Sequence, residues 1–121
     1  APIRAADRDA GAVRAAADNA RRAGVERDLA LEVRALSAVP ALPPGGWIVT
    51  NPPYGARVGD PRALRALYAR LGDVAAGLDG WSLALLSADA RLEGQLGLPL
   101  AERWRSTNGG IPVRLVVARA A

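Results

Sequence analysis

The chain has 121 residues with a formal net charge of +4, and half of its residues are hydrophobic, which is enough for one modest core and predicts a single domain. It contains no cysteine and no histidine, so disulfides, thiolate metal sites and histidine-based catalysis are excluded, and we expect no metal. No apolar run reaches the roughly 20 residues of a membrane-spanning helix and no secretory leader is recognisable, which predicts a cytoplasmic protein without a membrane partner.

The first third of the sequence predicts a strand, a helix and a second strand, at Ile3 to Ala6, Ala10 to about Ala23, and Leu29 to Ala35. Asp9 is a suitable N-cap for this helix, and Gly24 is a suitable stop. The second strand is predicted because its larger apolar residues recur at every second position, as in a strand with one buried face.

A proline-rich connector from Pro40 to Gly46 leads into a third predicted strand from Trp47 to Thr50. This strand must end at Asn51, because the next two residues are prolines and offer no backbone donor. A second helix begins after Asp60 and ends at Gly77 to Gly80. Its predicted buried stripe consists of Leu64, Leu67, Leu71, Val74 and Leu78.

The last three predicted strands lie at Trp81 to Leu86, Arg103 to Thr107, and Ile111 to Arg119. Asn108-Gly109-Gly110 is a strong signal for a hairpin turn between the last two. Strands that alternate with helices indicate an α/β fold, in which a parallel sheet is covered on both faces and ends in an antiparallel hairpin.

The residues that carry chemistry are Asn51-Pro52-Pro53-Tyr54-Gly55, directly after the third strand. Ligands of open α/β sheets bind at the carboxyl ends of the strands, where this loop would lie. The Asn51 side-chain oxygen and the Pro52 carbonyl could each accept one hydrogen of an exocyclic base amine, and so direct its lone pair at a methyl group. Tyr54 offers a flat face on which an unstacked base can lie, and Gly55 leaves room beside it. The alternative is a rigid proline turn with a packed tyrosine.

Asn51-Pro52-Pro53-Tyr54 resembles the fourth motif of amino-methyltransferases, and nearly the whole chain is similar to bacterial 23S rRNA guanine-N2 methyltransferases that carry a THUMP domain. The similar segments are Ala6-Asp7-Arg8-Asp9, Asn19-Ala20-Arg21, Val49 to Arg57, Leu67 to Gly72, Gly80-Trp81 and Asn108-Gly109. The resemblance implies a Rossmann-like sheet of strand order 3-2-1-4-5-7-6, S-adenosylmethionine as cofactor, and RNA, specifically 23S rRNA, as partner.

The resemblance also implies roles for single residues. Asn51, Pro52, Pro53 and Tyr54 would form the catalytic loop. Asp7 would bind the cofactor's ribose hydroxyls, although on its own it could equally be a solvated turn aspartate. The aspartate that usually contacts the adenine amine is replaced by Ala35, which leaves backbone groups around Ala35 and Leu36 for this contact.

One departure from the resembled family and the limited specificity of the loop leave alternatives open. The chain starts at the second strand of the resembled fold, so the first strand and its Gly-rich loop are missing, and we expect these 121 residues to be inactive alone. The Asn-Pro-Pro-Tyr loop also fits an adenine-N6 methyltransferase of DNA or RNA, and a fragment without the Gly-rich loop could be a non-catalytic nucleic-acid-binding module.

The tryptophans and the hairpin arginines are weaker candidates for RNA contact. Trp47, Trp81 and Trp104 lie in or beside predicted strands, so core or sheet-edge positions are favoured over a stacking platform. Arg57 could contact a phosphate or be a solvated loop residue. The hairpin arginines are expected to form an exposed face; they are Arg103, Arg105, Arg114 and Arg119.

Overall fold

A computed structural model describes residues 3–54 and 60–120, which fall into two compact units divided between Pro40 and Ala41. In the first unit, strand β1 (Ile3–Asp7) is followed by helix α1 (Ala10–Ala23) and strand β2 (Leu29–Val33). The two strands are parallel, with Ile3 opposite Leu29 and Asp7 opposite Val33. A parallel pair joined by a helix is the βαβ unit that the sequence predicted.

The ends of α1 are set by the residues predicted to cap it. The Asp9 carboxylate accepts a hydrogen bond of 2.9 Å from the Gly11 amide, which satisfies one free donor of the first turn. Gly24 ends the helix with φ of 74°, a left-handed conformation that glycine adopts without steric cost. The predicted limits of this helix are therefore confirmed.

The described residues of the second unit form four strands and two helices: β3 (Gly46–Thr50), α2 (Pro61–Gly77), β4 (Trp81–Ser87), α3 (Ala90–Gln95), β5 (Ala101–Asn108) and β6 (Ile111–Ala118). Its sheet has the order β3-β4-β6-β5, in which β3 and β4 are parallel and the other pairs antiparallel. The pair β1-β2 and the order β3-β4-β6-β5 agree with the 3-2 and 4-5-7-6 portions of the expected sheet, so the Rossmann-like fold class is confirmed.

The core of the second unit lies between α2 and the middle of the sheet. Its most deeply buried side chains are those of Tyr68, Leu83, Leu85 and Val116. The predicted stripe of α2 was partly wrong, because Leu67 and Val74 are only half-buried. The residues of α2 that are fully buried are Leu64, Tyr68, Leu71, Gly72 and Ala75.

The buried face of α2 differs from the predicted one because of a close contact at Gly72. A methyl group added there would lie 2.0 Å from the backbone oxygen of Leu96, at the end of α3. The two helices therefore approach each other closely, and the face of α2 that carries Gly72 turns toward α3. Helix α3 was missing from the prediction, because it has only six residues, one of them Gly94, and so shows no helical period.

Several predicted strand ends also shift. β2 ends at Val33 rather than Ala35, because Ala35 caps a 3₁₀ turn at Leu36–Ala38 and the Arg34 side chain donates to the Ala38 carbonyl at 2.8 Å. β5 begins at Ala101 and carries an irregularity between Glu102 and Trp104, and β6 ends one residue before Arg119.

The proline-rich connector is fixed at the start of β3. The Trp81 indole donates a hydrogen bond of 2.9 Å to the Pro43 carbonyl. A Cβ at Gly46 would meet the same indole at 2.8 Å, so only glycine admits this contact. Trp81 is thus a structural residue at the start of the inner strand β4, in agreement with the prediction that favoured a structural role over a stacking platform.

No helix within residues 3–54 and 60–120 is both long enough and apolar enough to cross a membrane.

Candidate active site

The Asn51-Pro52-Pro53-Tyr54 segment begins at the carboxyl end of β3, where the sequence placed it. Thr50 is the last residue paired with β4, and the prolines that follow cannot donate to a further ladder bond. Pro52 is buried and Tyr54 is half-buried, whereas Asn51 and Pro53 are exposed. The segment is therefore anchored by one proline and presents the asparagine to solvent.

A buried tyrosine of α2 forms a hydrogen bond with this segment. The Tyr68 hydroxyl donates a hydrogen bond of 3.1 Å to the Pro53 carbonyl, and the Tyr68 side chain is only 1% exposed. This contact uses the carbonyl of Pro53, not that of Pro52. Pro53 thus positions the loop, and its carbonyl is not one of the two acceptors predicted from the sequence, which are the Asn51 side-chain oxygen and the Pro52 carbonyl.

The Tyr68 proton stays in place across the physiological range. Burial, the main cause, together with the nearby carboxylates of Asp89 and Glu93 and the phenol of Tyr54, raises the pKa of Tyr68 to about 12. The hydroxyl therefore remains a hydrogen-bond donor well above neutral pH.

This raised pKa predicts a loss of stability in alkali. In the unfolded chain Tyr68 has a pKa of about 10, so between about pH 10 and pH 12 the unfolded state loses its proton before the folded state does. We expect the tyrosine's contribution to the free energy of unfolding to be constant below about pH 10 and to fall as the pH rises to about 12. Tyr68→Phe should remove this extra alkaline loss, at a cost of about 1 kcal/mol at neutral pH.

Urea unfolding of the wild type and of Tyr68→Phe at a series of pH values from 8 to 12 measures this difference. The other ionisable groups are the same in both proteins, so the informative quantity is the difference between the two curves. Parallel curves over that range would contradict the assigned role of the Tyr68 proton.

The aromatic residue of the loop, Tyr54, is contacted by a residue of β5. The Asn108 side-chain amide donates a hydrogen bond of 2.9 Å to the Tyr54 hydroxyl. Asn108 is the last residue of β5, and the turn that follows it is formed by Gly109 and Gly110 with φ of 58° and 82°. The sequence identified Asn108 as a turn residue in a family-like segment but did not predict this contact, because no local pattern shows a contact across 54 positions.

A group of charged side chains connects α3 with the hairpin near the carboxyl end of β4. Glu93 accepts hydrogen bonds from Arg114 and, at 2.6 Å, from the hydroxyl of Ser87. Glu102 accepts from Arg105 at 2.8 Å and from Arg114 at 3.2 Å. The hydrogen bond to Glu93 raises the pKa of Arg114, and the hydrogen bond from Arg105 lowers the pKa of Glu102. This network stabilises the contact between α3 and the hairpin.

The hairpin arginines do not form one exposed face, as the sequence had predicted. Arg114 is half-buried and paired with two glutamates, because β6 lies between β4 and β5 rather than at an edge. Arg119 lies over the Trp47 ring, with its guanidinium carbon 5.2 Å from the ring centre. Trp47 and Trp104 lie on the outer strands β3 and β5 and are about half exposed.

In the first unit, Asp7 lies at the carboxyl end of β1 and is exposed. One of its carboxylate oxygens accepts a hydrogen bond of 2.8 Å from the Asp9 amide, so the turn role considered for Asp7 is present. Leu36 begins the 3₁₀ turn after β2, and its carbonyl accepts from the Val39 amide at 3.3 Å. Ala35 and Leu36 follow one strand and Asp7 ends the other, so the proposed cofactor residues lie at the same edge of this small sheet.

Gly55 and Arg57, which the sequence analysis also considered, lie outside the described residues. Among residues 3–54 and 60–120 there is no group of three or more acidic residues placed to hold a metal ion.

Comparison with known families decides the class of the protein. The family model described as RMKL-like, methyltransferase domain (UPF0020) matches residues 1–116. The chain belongs to this family of RMKL-like methyltransferase domains. The resemblance that the sequence analysis drew from Asn51 to Tyr54 is confirmed at the level of the family.

Curated proteins with similar sequences include ribosomal RNA methyltransferases. The ribosomal RNA large subunit methyltransferase K/L of Syntrophotalea carbinolica is 38% identical over 115 residues, which cover 91% of this chain and 16% of the relative. The RMKL-like domain described here therefore spans only about a sixth of the length of that curated relative.

Two solved structures share the fold of the RMKL-like domain. SMU.472 in complex with SAH has a TM-score of 0.88 and 31% identity, covering 98% of this chain and 32% of its own. A predicted N6-adenine-specific DNA methylase from Listeria monocytogenes has a TM-score of 0.83 and 26% identity, covering 98% of this chain and 30% of its own.

Proposed function

We propose that the protein carrying this domain transfers a methyl group from S-adenosylmethionine to an exocyclic base amine of RNA, with guanine N2 of 23S rRNA as the target. The observation that carries the proposal is the Asn51-Pro52-Pro53-Tyr54 segment at the carboxyl end of β3, held by Tyr68 and Asn108. The naming of the Syntrophotalea relative as a ribosomal RNA methyltransferase supports RNA as the substrate. Such an enzyme would act in the cytoplasm.

The chemistry of the loop follows from the weakness of a base amine as a nucleophile. Its lone pair is delocalised into the ring, so the nitrogen must be drawn toward tetrahedral geometry before it can attack a methyl group. The Asn51 side-chain oxygen and the Pro52 carbonyl each accept one amine hydrogen in this proposal, which fixes the direction of the lone pair. No strong base is needed for this orientation, and the chain contains no histidine that could supply one.

The cofactor would be held partly by residues of the first unit. Asp7 Oδ1 is engaged by the Asp9 amide, which leaves Oδ2 to accept from a ribose hydroxyl. The Ala35 side chain offers no polar atom, and the carbonyls of Ala35 and Leu36 accept from Ala38 and Val39 within the 3₁₀ turn. The first amides of such a turn have no partner inside it, so the Leu36 amide is the group we assign to the adenine ring. When bound, S-adenosylmethionine supplies the methyl group.

Tyr54 is proposed to stack on the target base, and this role predicts a graded response to substitution. Tyr54→Ala should weaken RNA binding or turnover by roughly 10- to 100-fold, since a base stacked on an aromatic ring is worth about 1 to 3 kcal/mol. Tyr54→Phe keeps the ring and loses only the hydrogen bond from Asn108, so a loss of a few-fold to about tenfold is expected. Equal losses for both substitutions, in a labelled-methyl assay of the full-length enzyme, would contradict stacking.

Adenine N6 is the second candidate target. It is favoured by the similarity to the predicted adenine-specific DNA methylase from Listeria monocytogenes. The two amines present the same pair of hydrogens to Asn51 and Pro52, so the loop chemistry serves either base.

Mass spectrometry of nucleosides from 23S rRNA, isolated with and without the intact gene, distinguishes the two targets. Loss of N2-methylguanosine on deletion, restored by the wild-type gene, is the expected result. Loss of N6-methyladenosine instead, or an unchanged profile, would refute guanine N2 as the target.

A further inference from the structure

We propose that Asn108 is a positioning residue for the Tyr54 ring, and that the turn of the terminal hairpin thereby determines where the target base is held. The proposal rests on the proposed function, in which Tyr54 stacks on that base. It adds a residue of β5, remote in sequence from the catalytic loop, to the groups on which methyl transfer depends.

The first supporting observation is which atom of Tyr54 takes part in the hydrogen bond. The Asn108 amide donates and the Tyr54 hydroxyl oxygen accepts, at 2.9 Å. The hydroxyl lies on the long axis of the tyrosine ring, about which χ2 rotates. A bond to this atom therefore restrains χ1 and the loop backbone, which set the direction of the ring axis, and leaves χ2 free. Asn108 thus fixes where the ring lies rather than which face it turns.

The second observation is that the donor has a fixed place. Asn108 pairs with Ile111 in the last register position of the hairpin, and the two glycines between them close a tight two-residue turn. β6 lies in the middle of the sheet, where Val113 and Val116 are buried with 2% and 1% exposure. The hairpin therefore packs into the core of the second unit through β6, and this packing fixes the position of the Asn108 amide.

The third observation is that the loop is anchored on both sides of the Pro53–Tyr54 peptide. Tyr68, from α2, binds the carbonyl of Pro53, and Asn108 binds the far end of the next side chain. Neither contact alone determines the position of the ring, because the Pro53 carbonyl restrains only the backbone. Together they connect the ring to two separate elements of the fold. Loss of the Asn108 contact should therefore misplace the ring without removing it.

A double-mutant cycle in the full-length protein tests the proposal. The four proteins are the wild type, Asn108→Ala, Tyr54→Phe and the double variant, assayed by transfer of labelled methyl to RNA. We expect Asn108→Ala to lower kcat by roughly 3- to 10-fold, the effect of one hydrogen bond, and to leave cofactor affinity unchanged. In the Tyr54→Phe background the same substitution should change kcat less than about twofold, since the acceptor is already gone.

Thr107→Ala is the matched control, because Thr107 precedes Asn108 on the same exposed strand. It should leave both kcat and the unfolding temperature unchanged. An equal loss from Asn108→Ala in both backgrounds would show that Asn108 acts through the hairpin and not through Tyr54. No loss in the wild-type background would also overturn the proposal.

The outcome is separable from that of the proposed function. Total label transfer is counted whichever base receives the methyl group, so methylation of adenine would refute the guanine target and leave the cycle valid. If the wild type transfers no methyl to RNA, the proposed function fails, and RNA affinity of the same four proteins is compared instead. Coupling between the two substitutions in affinity would then support the positioning role, and its absence would refute it.

Discussion

Asn51→Ala is expected to lower methyl transfer by at least about 100-fold while changing the affinity for S-adenosylmethionine less than about twofold. Asn51 follows the last residue of β3 and is exposed, so its side chain is available to substrate and contributes little to the core. In the proposed reaction its oxygen accepts an amine hydrogen most strongly as the nitrogen becomes tetrahedral. Removing an oriented polar group of this kind costs about 10²- to 10³-fold in kcat.

Asn51→Asp is the matched control for this substitution. It keeps an acceptor oxygen at the same position and differs in charge, so it should retain far more activity than Asn51→Ala. Labelled-methyl transfer by the full-length enzyme gives kcat, and calorimetry gives the cofactor affinity. Near-wild-type turnover by Asn51→Ala, or equal losses for the two variants, would refute acceptance of an amine hydrogen as the role of Asn51.

Gly72→Ala is expected to destabilise the domain by about 3 kcal/mol or more. The added methyl group would lie 2.0 Å from the Leu96 oxygen and 2.7 Å from its carbonyl carbon. These are backbone atoms and cannot move aside by a change of rotamer, so α2 and the end of α3 must separate. Overpacking of this kind costs about 1 to 3 kcal/mol and occasionally more, and a distance this short places Gly72 at the upper end of that range.

The same helix offers the control. Gly77 is the last residue of α2, and a Cβ added there would have no neighbour within 4 Å. Gly77→Ala should therefore be neutral or stabilise the domain by up to about 1 kcal/mol, the difference in helix propensity between the two residues. Pulse proteolysis of the full-length variants in urea measures both effects. A similar midpoint for Gly72→Ala and Gly77→Ala would contradict the close contact between α2 and Leu96.

The features that the sequence predicted well depend on neighbours in the chain. The caps of α1 at Asp9 and Gly24 are formed within one turn of the helix, and the end of β3 follows from two prolines that come directly after it. These signals are local, so their geometry can be inferred from spacing alone. The position of the Asn51–Tyr54 segment at the carboxyl end of a strand followed for the same reason.

The features that were missed depend on contacts between distant segments. The Tyr68 and Asn108 contacts span 15 and 54 positions, and neither residue differs locally from a core tyrosine or a turn asparagine. The buried face of α2 was displaced because Gly72 admits the backbone of Leu96, which no periodicity in α2 reveals. The sequence therefore predicted where the loop lies, but not the contacts that hold Pro53 and Tyr54 in place.

The contact of Trp81 with Gly46 and Pro43 has a consequence for the opposite end of β3. This strand is only five residues long, and a slip of one residue against β4 would turn every side chain to the other face of the sheet and carry Asn51 along by about 3.3 Å. Gly46 pairs directly with Trp81, and no other residue type fits beneath the indole. A side chain at Gly46 would have to displace the indole or shift β3 against β4, and such a shift would change the reach of the loop without a substitution in the loop itself.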